Sequence, residues 1–187
     1  MKQHALVYPF QENEKTEAVC KEQELELTAI FESYYKRVYN YIYYRIHCHH
    51  TSEDLTSQVF NKIMLRLDTY SKEKSPFEVW LFAIVRNVVN DHFRSLKKQK
   101  LFSLDAIKSL VSKEKNPEQL IEITDTNNKL AKALLVLSMR ERNLVALKFG
   151  ADLKNKDIAE IMGISESNVG VILYRTMKKL KKEMEEE

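Results

Sequence analysis

Residues 155–175 have the sequence NKDIAEIMGISESNVGVILYR, and their spacing is the most specific pattern in the chain. Ala159 stands where two crossing helices leave no room for a larger side chain, and Gly163 follows four residues later, where the turn needs a left-handed backbone. Val169 comes six residues after this glycine. The remaining apolar positions, which pin the second helix onto the first, are Ile158, Met162, Ile164 and Ile172. This pattern predicts a helix-turn-helix.

The second helix of this motif carries the residues that would contact DNA. Ser165 suits a helix N-cap, which predicts a helix from Glu166 to about Leu180. Its inward positions would be Val169, Leu173 and Met177. The candidates to touch bases or phosphates are Ser165, Ser167, Asn168, Val171, Tyr174, Arg175, Lys178 and Lys179, with Lys181 and Lys182 nearby. The alternative is a plain helical hairpin with a solvated lysine face.

Composition favours a mostly helical protein. The 187 residues are 44% hydrophobic, enough for one ordinary domain or two small ones, and the 3 Gly and 3 Pro are too few for many short strands and turns. The two cysteines, Cys20 and Cys48, cannot form a disulfide framework, and the N-terminus lacks the apolar core of a secretory signal. Apolar runs such as ALLVL at 133–137 are far shorter than the roughly 20 residues that cross a bilayer. We therefore expect a cytoplasmic protein without membrane insertion.

Charge and periodicity divide the chain into four segments. Residues 1–24 have no helical period and are predicted to be a mobile tail, and residues 25–100 form a first helical domain. Residues 101–128, with 3 basic and 5 acidic side chains, are predicted to be a linker with a possible short helix at 104–111. Residues 129–187 form the second helical domain. The expected fold is all-α, with two small helical domains joined by a flexible linker.

Three helices are predicted in the first domain. One runs from Leu25 to about Ile46, and a second from Asp54, after a cap at Thr51 or Ser52, to about Leu67. The third runs from Phe77, after Pro76 in its first turn, to about Leu96. It combines an apolar face with a polar set consisting of Arg86, Asn87, Asn90, Asp91 and Arg94.

This polar set stands beside Ser75, Phe77 and Trp80, a combination suited to stacking on unpaired bases while the backbone is held by charge. The alternative is that Phe77 and Trp80 are simply core residues. A second DNA-binding module would enlarge the small footprint of a single helix-turn-helix.

Three stretches together resemble a known family. They are DLTSQVFNKIMLRLDTY at 54–70, SPFEVWLFAIVRNVVNDHFRSLKK at 75–98 and DIAEIMGISESNVGVILYRTMKKLKK at 157–182. They resemble regions 2 and 4 of bacterial sigma-70 family sigma factors, most closely the extracytoplasmic-function (ECF) type, over roughly residues 26–98 and 128–184. The resemblance implies a protein that binds core RNA polymerase, directs promoter-specific initiation and helps melt DNA, with no cofactor.

The resemblance also assigns residues by motif. The helix that docks the β′ clamp helices of core RNA polymerase would carry Asp54, Leu55, Gln58, Val59 and Phe60. The segments that read and open the minus-ten element would carry Lys74, Ser75, Trp80, Arg86, Asn87, Asn90, Asp91 and Arg94. Residues 165–179 fall on the helix that reads the minus-35 element, and residues 101–128 on the linker that enters the RNA channel. Other implied partners are the β flap, promoter DNA and an anti-sigma factor.

Four other interpretations were weighed against this one: a metal site, an enzyme, a stand-alone regulator and an adaptor. His47, Cys48, His49 and His50 suggest a metal site, but no second Cys or His cluster completes a tetrahedral set, so a polar loop is favoured. No convergent acid, base or nucleophile points to an enzyme. The main rival function is a stand-alone transcription regulator that binds duplex DNA without polymerase, and an adaptor that touches no DNA is disfavoured by the helix-turn-helix.

One feature departs from many family members. They place basic or hydroxyl residues just after the valine of the recognition helix, whereas this chain has Gly170, Val171 and Ile172. Upstream recognition would then depend on apolar contact with thymine methyl groups and on Tyr174 and Arg175.

Overall fold

The computed structural model describes the backbone of residues 11–105 and 133–185, and the side chains of residues 25–99 and 133–185. The described elements are all helical. Helix α1 spans Gln11–Ile46, α2 His49–Met64 and α3 Phe77–Asp105, with a 3-10 turn at Leu67–Thr69. After residue 132 come α4 (Met139–Val145), a π turn (Ala146–Gly150), α5 (Asn155–Met162) and α6 (Glu166–Glu185). The part of the predicted helix at 104–111 that follows Asp105 lies outside the described residues.

The chain divides into two compact units, residues 1–35 and residues 36–187. We call the part of the second unit formed by α1 from Lys36, α2 and α3 the N-terminal half, and residues 133–185 the C-terminal half. Within the described residues, no helix is long and apolar enough to cross a bilayer.

Helix α1 ends at Ile46, as the periodicity predicts, but begins at Gln11, well before the expected Leu25. Residues 11–24 include five Glu, two Lys and two Gln, which favour helix without any apolar stripe. The absence of an apolar period therefore did not mean the absence of a helix, and the helix start predicted at Leu25 was wrong.

The break between α1 and α2 occupies only two residues. His47 has a left-handed backbone with φ 56°, and Cys48, the N-cap of α2, is extended. The cap predicted at Thr51 or Ser52 is wrong, because both residues lie inside α2 and Ser52 is buried. A single non-glycine residue in the left-handed region interrupts the helix, and this stretch of sequence has no Gly or Pro that would have predicted the break.

The N-terminal half is built around α3. Helix α2 packs its stripe of Leu55, Val59 and Ile63 against it, and all three side chains are buried. Helix α1 supplies Val38, Tyr41 and Ile42, which are also buried. On α3 itself the buried residues include Val79, Phe82, Val85, Val89 and Phe93. The predicted helical spacing thus produces a shared apolar core.

The C-terminal half has its own apolar cluster, formed by Ala133, Leu134, Leu137, Val145 and Leu180. Ser138 caps α4 in a capping box with Glu141: its Oγ accepts from the Glu141 backbone N–H at 3.3 Å, and its own N–H donates to the carboxylate at 2.9 Å. Arg142 is buried and donates to three backbone carbonyls, those of Leu134, Leu135 and Leu137. These bonds tie α4 to the segment before it.

Candidate nucleic-acid interface

The turn between α5 and α6 has the left-handed backbone that the position of Gly163 predicts. Gly163 has φ 66° and ψ 40°, the left-handed region. The N–H of Ile164 donates to the carbonyl of Ala159 at 3.0 Å, and the N–H of Gly163 to that of Glu160 at 3.3 Å. This bond pair is a Schellman motif, which satisfies the last carbonyls of α5 and turns the chain sharply.

Helix α6 is held with one face inward. Ser165 Oγ accepts from the Asn168 backbone N–H at 3.2 Å, which confirms the predicted N-cap. Val169 and Ile158 are fully buried and Ala159 is largely buried, because α5 packs against α6. Leu173 and Met177 are half-buried. The packing leaves the opposite face of α6 to the solvent.

All eight side chains predicted to contact the upstream element are exposed in the described structure. Tyr174 is the most prominent apolar group among them, with 73% of its surface exposed, and Val171 is also exposed. Lys179 differs from the rest because its Nζ forms an ion pair with Glu141. Burial alone would raise the pKa of Glu141, but hydrogen bonds from Lys179 and Ser138 outweigh it and lower that pKa. The structure thus gives Lys179 a protein partner, whereas Lys178 faces solvent.

Three aromatic side chains at the start of α3 and in the segment before it form a cluster. The ring of Trp80 lies 5.4 Å from that of Tyr70 and 5.5 Å from that of Phe77, centroid to centroid, and all three are half-buried. Lys74 is exposed and Ser75 half-buried in the loop before them. Trp80 therefore packs in part against these two rings and leaves another part of its surface to solvent.

The polar set of α3 is divided between two faces. Asn87, Asp91 and Arg94 are exposed, and Arg94 pairs with Asp91 at 2.9 Å. Arg86 and Asn90 instead face the C-terminal half. The guanidinium of Arg86 donates to the carbonyl of Ile161 in the last turn of α5. Asn90 lines an open cavity of about 350 Å³, whose other lining residues are Arg45, Arg86, Met139, Arg140, Asn143 and Met162.

The residues assigned to polymerase docking are also divided. Asp54 and Gln58 are exposed on α2, and Phe60 is half-buried. Leu55 and Val59 are 3% and 0% exposed, so their assignment as contact residues is wrong: they hold α2 onto α3. Met64 and Leu65, which the sequence analysis did not single out, are 54% and 78% exposed at the end of α2. Leu65 lies eleven residues after Asp54, on the same helix face, a spacing that could have identified it.

The His47–His50 segment does not bring its side chains together as metal ligands. His47 is buried, and burial together with the positive charge of Arg142 lowers its pKa to about 4. The Nδ1 of His49 lies 2.6 Å from the hydroxyl of Tyr39, and His50 is exposed. Among the side chains that the structure describes, no group of three His, Cys, Asp or Glu could hold a metal ion.

Comparison with known proteins matches both halves of the chain. The family model of sigma-70 region 2 matches residues 30–99, and that of sigma-70 region 4 matches residues 127–180. The chain is 30% identical to the ECF RNA polymerase sigma factor BldN of Streptomyces coelicolor over 151 residues, 81% of this chain and 57% of that protein. It thus spans just over half the length of this relative.

Two further similarities extend over most of both chains. The ECF RNA polymerase sigma factor SigM of Bacillus subtilis is 28% identical over 158 residues, 84% of this chain and 94% of that protein. The sigma factor RpoE, solved in complex with the anti-sigma factor NepR from Bartonella quintana, has a similar fold, with a TM-score of 0.62, 18% identity and coverage of 88% of this chain and 98% of that one. With regions 2 and 4 matched in order and ECF sigma factors as relatives, the chain belongs to the sigma-70 family and is of the extracytoplasmic-function type.

Proposed function

We propose that the protein is a sigma factor that binds core RNA polymerase in the cytoplasm and directs promoter-specific initiation, as a polymerase subunit without catalysis of its own. The observation that carries the proposal is the helix-turn-helix of region 4, with eight predicted contact residues on the solvent-facing surface of α6. Region 2 supplies the second DNA-binding module and the polymerase contact.

Upstream recognition would be performed by α6 in the major groove. Asn168 offers an amide that can pair with adenine, and Arg175 a guanidinium that can pair with guanine. The exposed surfaces of Val171 and Tyr174 suit the methyl groups of thymine. Lys178 would contact phosphate and add affinity without sequence preference. This set favours a minus-35 element that contains a T-rich step.

Downstream recognition would be performed by α3 and the loop before it. Asn87 and Arg94 are exposed where a single strand could lie, and the Tyr70–Phe77–Trp80 cluster presents partly exposed rings near Lys74 and Ser75. A base that leaves the duplex costs a few kcal/mol of lost stacking, which an aromatic surface can offset. Melting at the minus-ten element is the step that this half would assist.

Polymerase binding would use the exposed face of α2. Asp54 and Gln58 are polar, while Met64 and Leu65 add an apolar patch at the end of the helix. An apolar centre with a polar rim is the usual anatomy of a protein interface. We assign this face to the β′ clamp helices, and region 4 to the β flap.

An anti-sigma factor is the remaining proposed partner. The similar RpoE was solved in complex with one, the anti-sigma factor NepR. Such a partner would control when this chain reaches the polymerase.

The proposal is tested by run-off transcription with purified core RNA polymerase and a promoter library, with 5′ ends sequenced. New start sites that share two spaced upstream motifs are the expected result. Asn168→Ala and Arg175→Ala should shift the upstream motif, whereas Glu185→Gln, at the far end of the same helix, should not. If no transcript depends on the protein and it does not co-purify with core polymerase, a stand-alone regulator replaces this proposal.

Polymerase docking is tested separately by co-purification. Asp54→Ala and Leu65→Ala should each weaken retention on core polymerase and leave the folded content of the protein unchanged. If the variants are retained as well as the wild type, the assignment of this α2 face is refuted.

A further inference from the structure

The open cavity of about 350 Å³ is formed by residues of α1, α3, α4 and α5. Three arginines, two asparagines and two methionines line it: Arg45, Arg86, Arg140, Asn90, Asn143, Met139 and Met162. We propose that this cavity is a binding site for a small phosphorylated molecule, such as a nucleoside diphosphate. Such a site goes beyond the proposed role in transcription, because its binding is measured in the free protein without polymerase or DNA.

The cavity is positively charged, and its lining holds no group that would balance this charge. None of the seven described lining residues is acidic. Arg86 and Arg140 form no ion pair with a carboxylate in the part of the chain that the structure describes. Asp91 and Glu141, the two acidic residues next to lining residues in the sequence, form ion pairs with cations that do not line the cavity. An anion is therefore attracted here without having to displace a carboxylate.

The guanidinium groups of the lining suit a phosphate. A guanidinium keeps its charge at all physiological pH values, and its planar fork can donate two parallel hydrogen bonds to two phosphate oxygens. Arg86 is half-buried and donates to the carbonyl of Ile161, a bond that uses one of its five N–H groups. Arg45 is buried, with its guanidinium 5.4 Å from the centre of the Phe93 ring. Arg140 is exposed, so positive charge is present both deep in the cavity and at its opening.

Asn143 offers amide donors to a ligand. Its Oδ1 accepts from the hydroxyl of Tyr41 at 2.6 Å and from a guanidinium nitrogen of Arg45 at 2.7 Å. An amide oxygen has two lone pairs, so these two bonds saturate it and determine which way the amide group is turned. The Nδ2 group, with its two N–H donors, is therefore the part of Asn143 that can bind a ligand oxygen. An anion is the ligand that accepts such donors best.

The size and lining of the cavity favour a small molecule over a nucleic-acid strand. Small-molecule pockets usually have volumes of roughly 300–1,000 Å³, and this cavity lies at the lower end of that range. Met139 and Met162 add apolar, polarisable surface that can contact a base or a sugar. A strand needs a groove that follows several successive phosphates, whereas this cavity ends on a buried residue, Arg45.

Binding is measured by isothermal titration calorimetry on the full chain, with pyrophosphate and ADP as probes and adenosine as the uncharged control. We expect each phosphorylated probe to bind at one site per protein, and adenosine to give no binding. Because a ligand of the folded state stabilises that state, both probes should also raise the midpoint of thermal unfolding. Absence of saturable binding of either probe at about 1 mM would overturn the proposal.

Two substitutions change lining residues that have no proposed contact with DNA or polymerase. Asn143→Asp keeps the acceptors for Tyr41 and Arg45 but places a carboxylate beside the phosphate, so it should keep the wild-type thermal stability and lose binding of both probes. Arg140→Gln removes one exposed guanidinium and should weaken binding about tenfold. Lys156→Gln is the matched control and should leave the affinity unchanged. Lys156 is exposed and is the second residue of α5, as Arg140 is of α4, but it does not line the cavity.

Unchanged affinity in both Asn143→Asp and Arg140→Gln would overturn the proposal, because the probes would then bind elsewhere on the chain. If circular dichroism shows that Asn143→Asp has lost helix, Arg140→Gln alone decides. A single-stranded oligonucleotide is titrated in parallel. If it binds and loses affinity in both variants while pyrophosphate and ADP do not bind, the cavity belongs to a nucleic-acid surface and the proposal fails. Run-off transcription tests the proposed function separately, so failure of one proposal does not imply failure of the other.

Discussion

His47 makes stability depend on pH in a predictable window. Its side chain is 2% exposed, and burial with the charge of Arg142 lowers its pKa from 6.5 to about 4. Its Nε2 has no hydrogen-bond partner among the described side chains. The folded protein therefore favours the neutral imidazole of His47 over the protonated one.

The direction in which stability changes with pH follows from proton uptake by the unfolded chain. Between pH 6.5 and 4 the unfolded chain binds a proton at His47 that the folded chain does not. Stability from His47 is therefore complete above the unfolded pKa and is lost as pH falls through the folded one. One pKa unit is about 1.4 kcal/mol, so the full loss is about 3 kcal/mol, of which about 2 kcal/mol appears by about pH 5.

The test is urea unfolding at about pH 7 and about pH 5, followed by circular dichroism. His47→Asn places at this position a residue that tolerates the left-handed backbone and does not titrate. From about pH 7 to about pH 5 this variant should therefore lose about 2 kcal/mol less free energy of unfolding than the wild type. The control is His50→Asn, whose side chain is 97% exposed. Burial also lowers the pKa of His92, which is present in all three proteins and cancels in the comparison. An equal loss in the wild type and His47→Asn would refute the reasoning.

Three further predictions concern region 4. Gly163→Ala forces a Cβ into the left-handed backbone at φ 66° and should cost about 1–2 kcal/mol in urea unfolding, whereas Gly170→Ala should not. Ser138→Ala removes the capping box of α4 and should cost about 1 kcal/mol, measured in the same way. Lys178→Ala should lower the slope of log affinity against log salt for promoter binding by the holoenzyme by about one phosphate contact, with little change in sequence preference. Binding titrations at several salt concentrations measure this slope.

The sequence predicted those structural elements that are determined by residues close together in the chain. Gly163 and Ser165 determine the turn and the cap of the helix-turn-helix, and both are confirmed by the hydrogen bonds around them. The end of α1 at Ile46 and the start of α3 at Phe77 were also predicted correctly. The left-handed His47 was missed, because histidine adopts this backbone only when tertiary contacts select it.

The exposure of individual side chains in the candidate site was harder to predict than the location of the site. Leu55 and Asp54 are neighbours in one motif, but Leu55 packs against α3 and Asp54 faces solvent. A motif identifies the helix that makes contact, whereas the period of that helix determines which of its residues can reach the partner. The same period places Leu65 on the exposed face, just after the last residue of α2.

The contact between the halves could not be predicted at all, because it depends on residues that carry no pattern. Gly150 has no positive φ and marks no turn that its type would require; it is needed because α1 passes next to it. Asn143 resembles any half-exposed asparagine until Tyr41 and Arg45 reach it from residues about a hundred positions earlier. Such long-range complementarity is visible only in the folded chain.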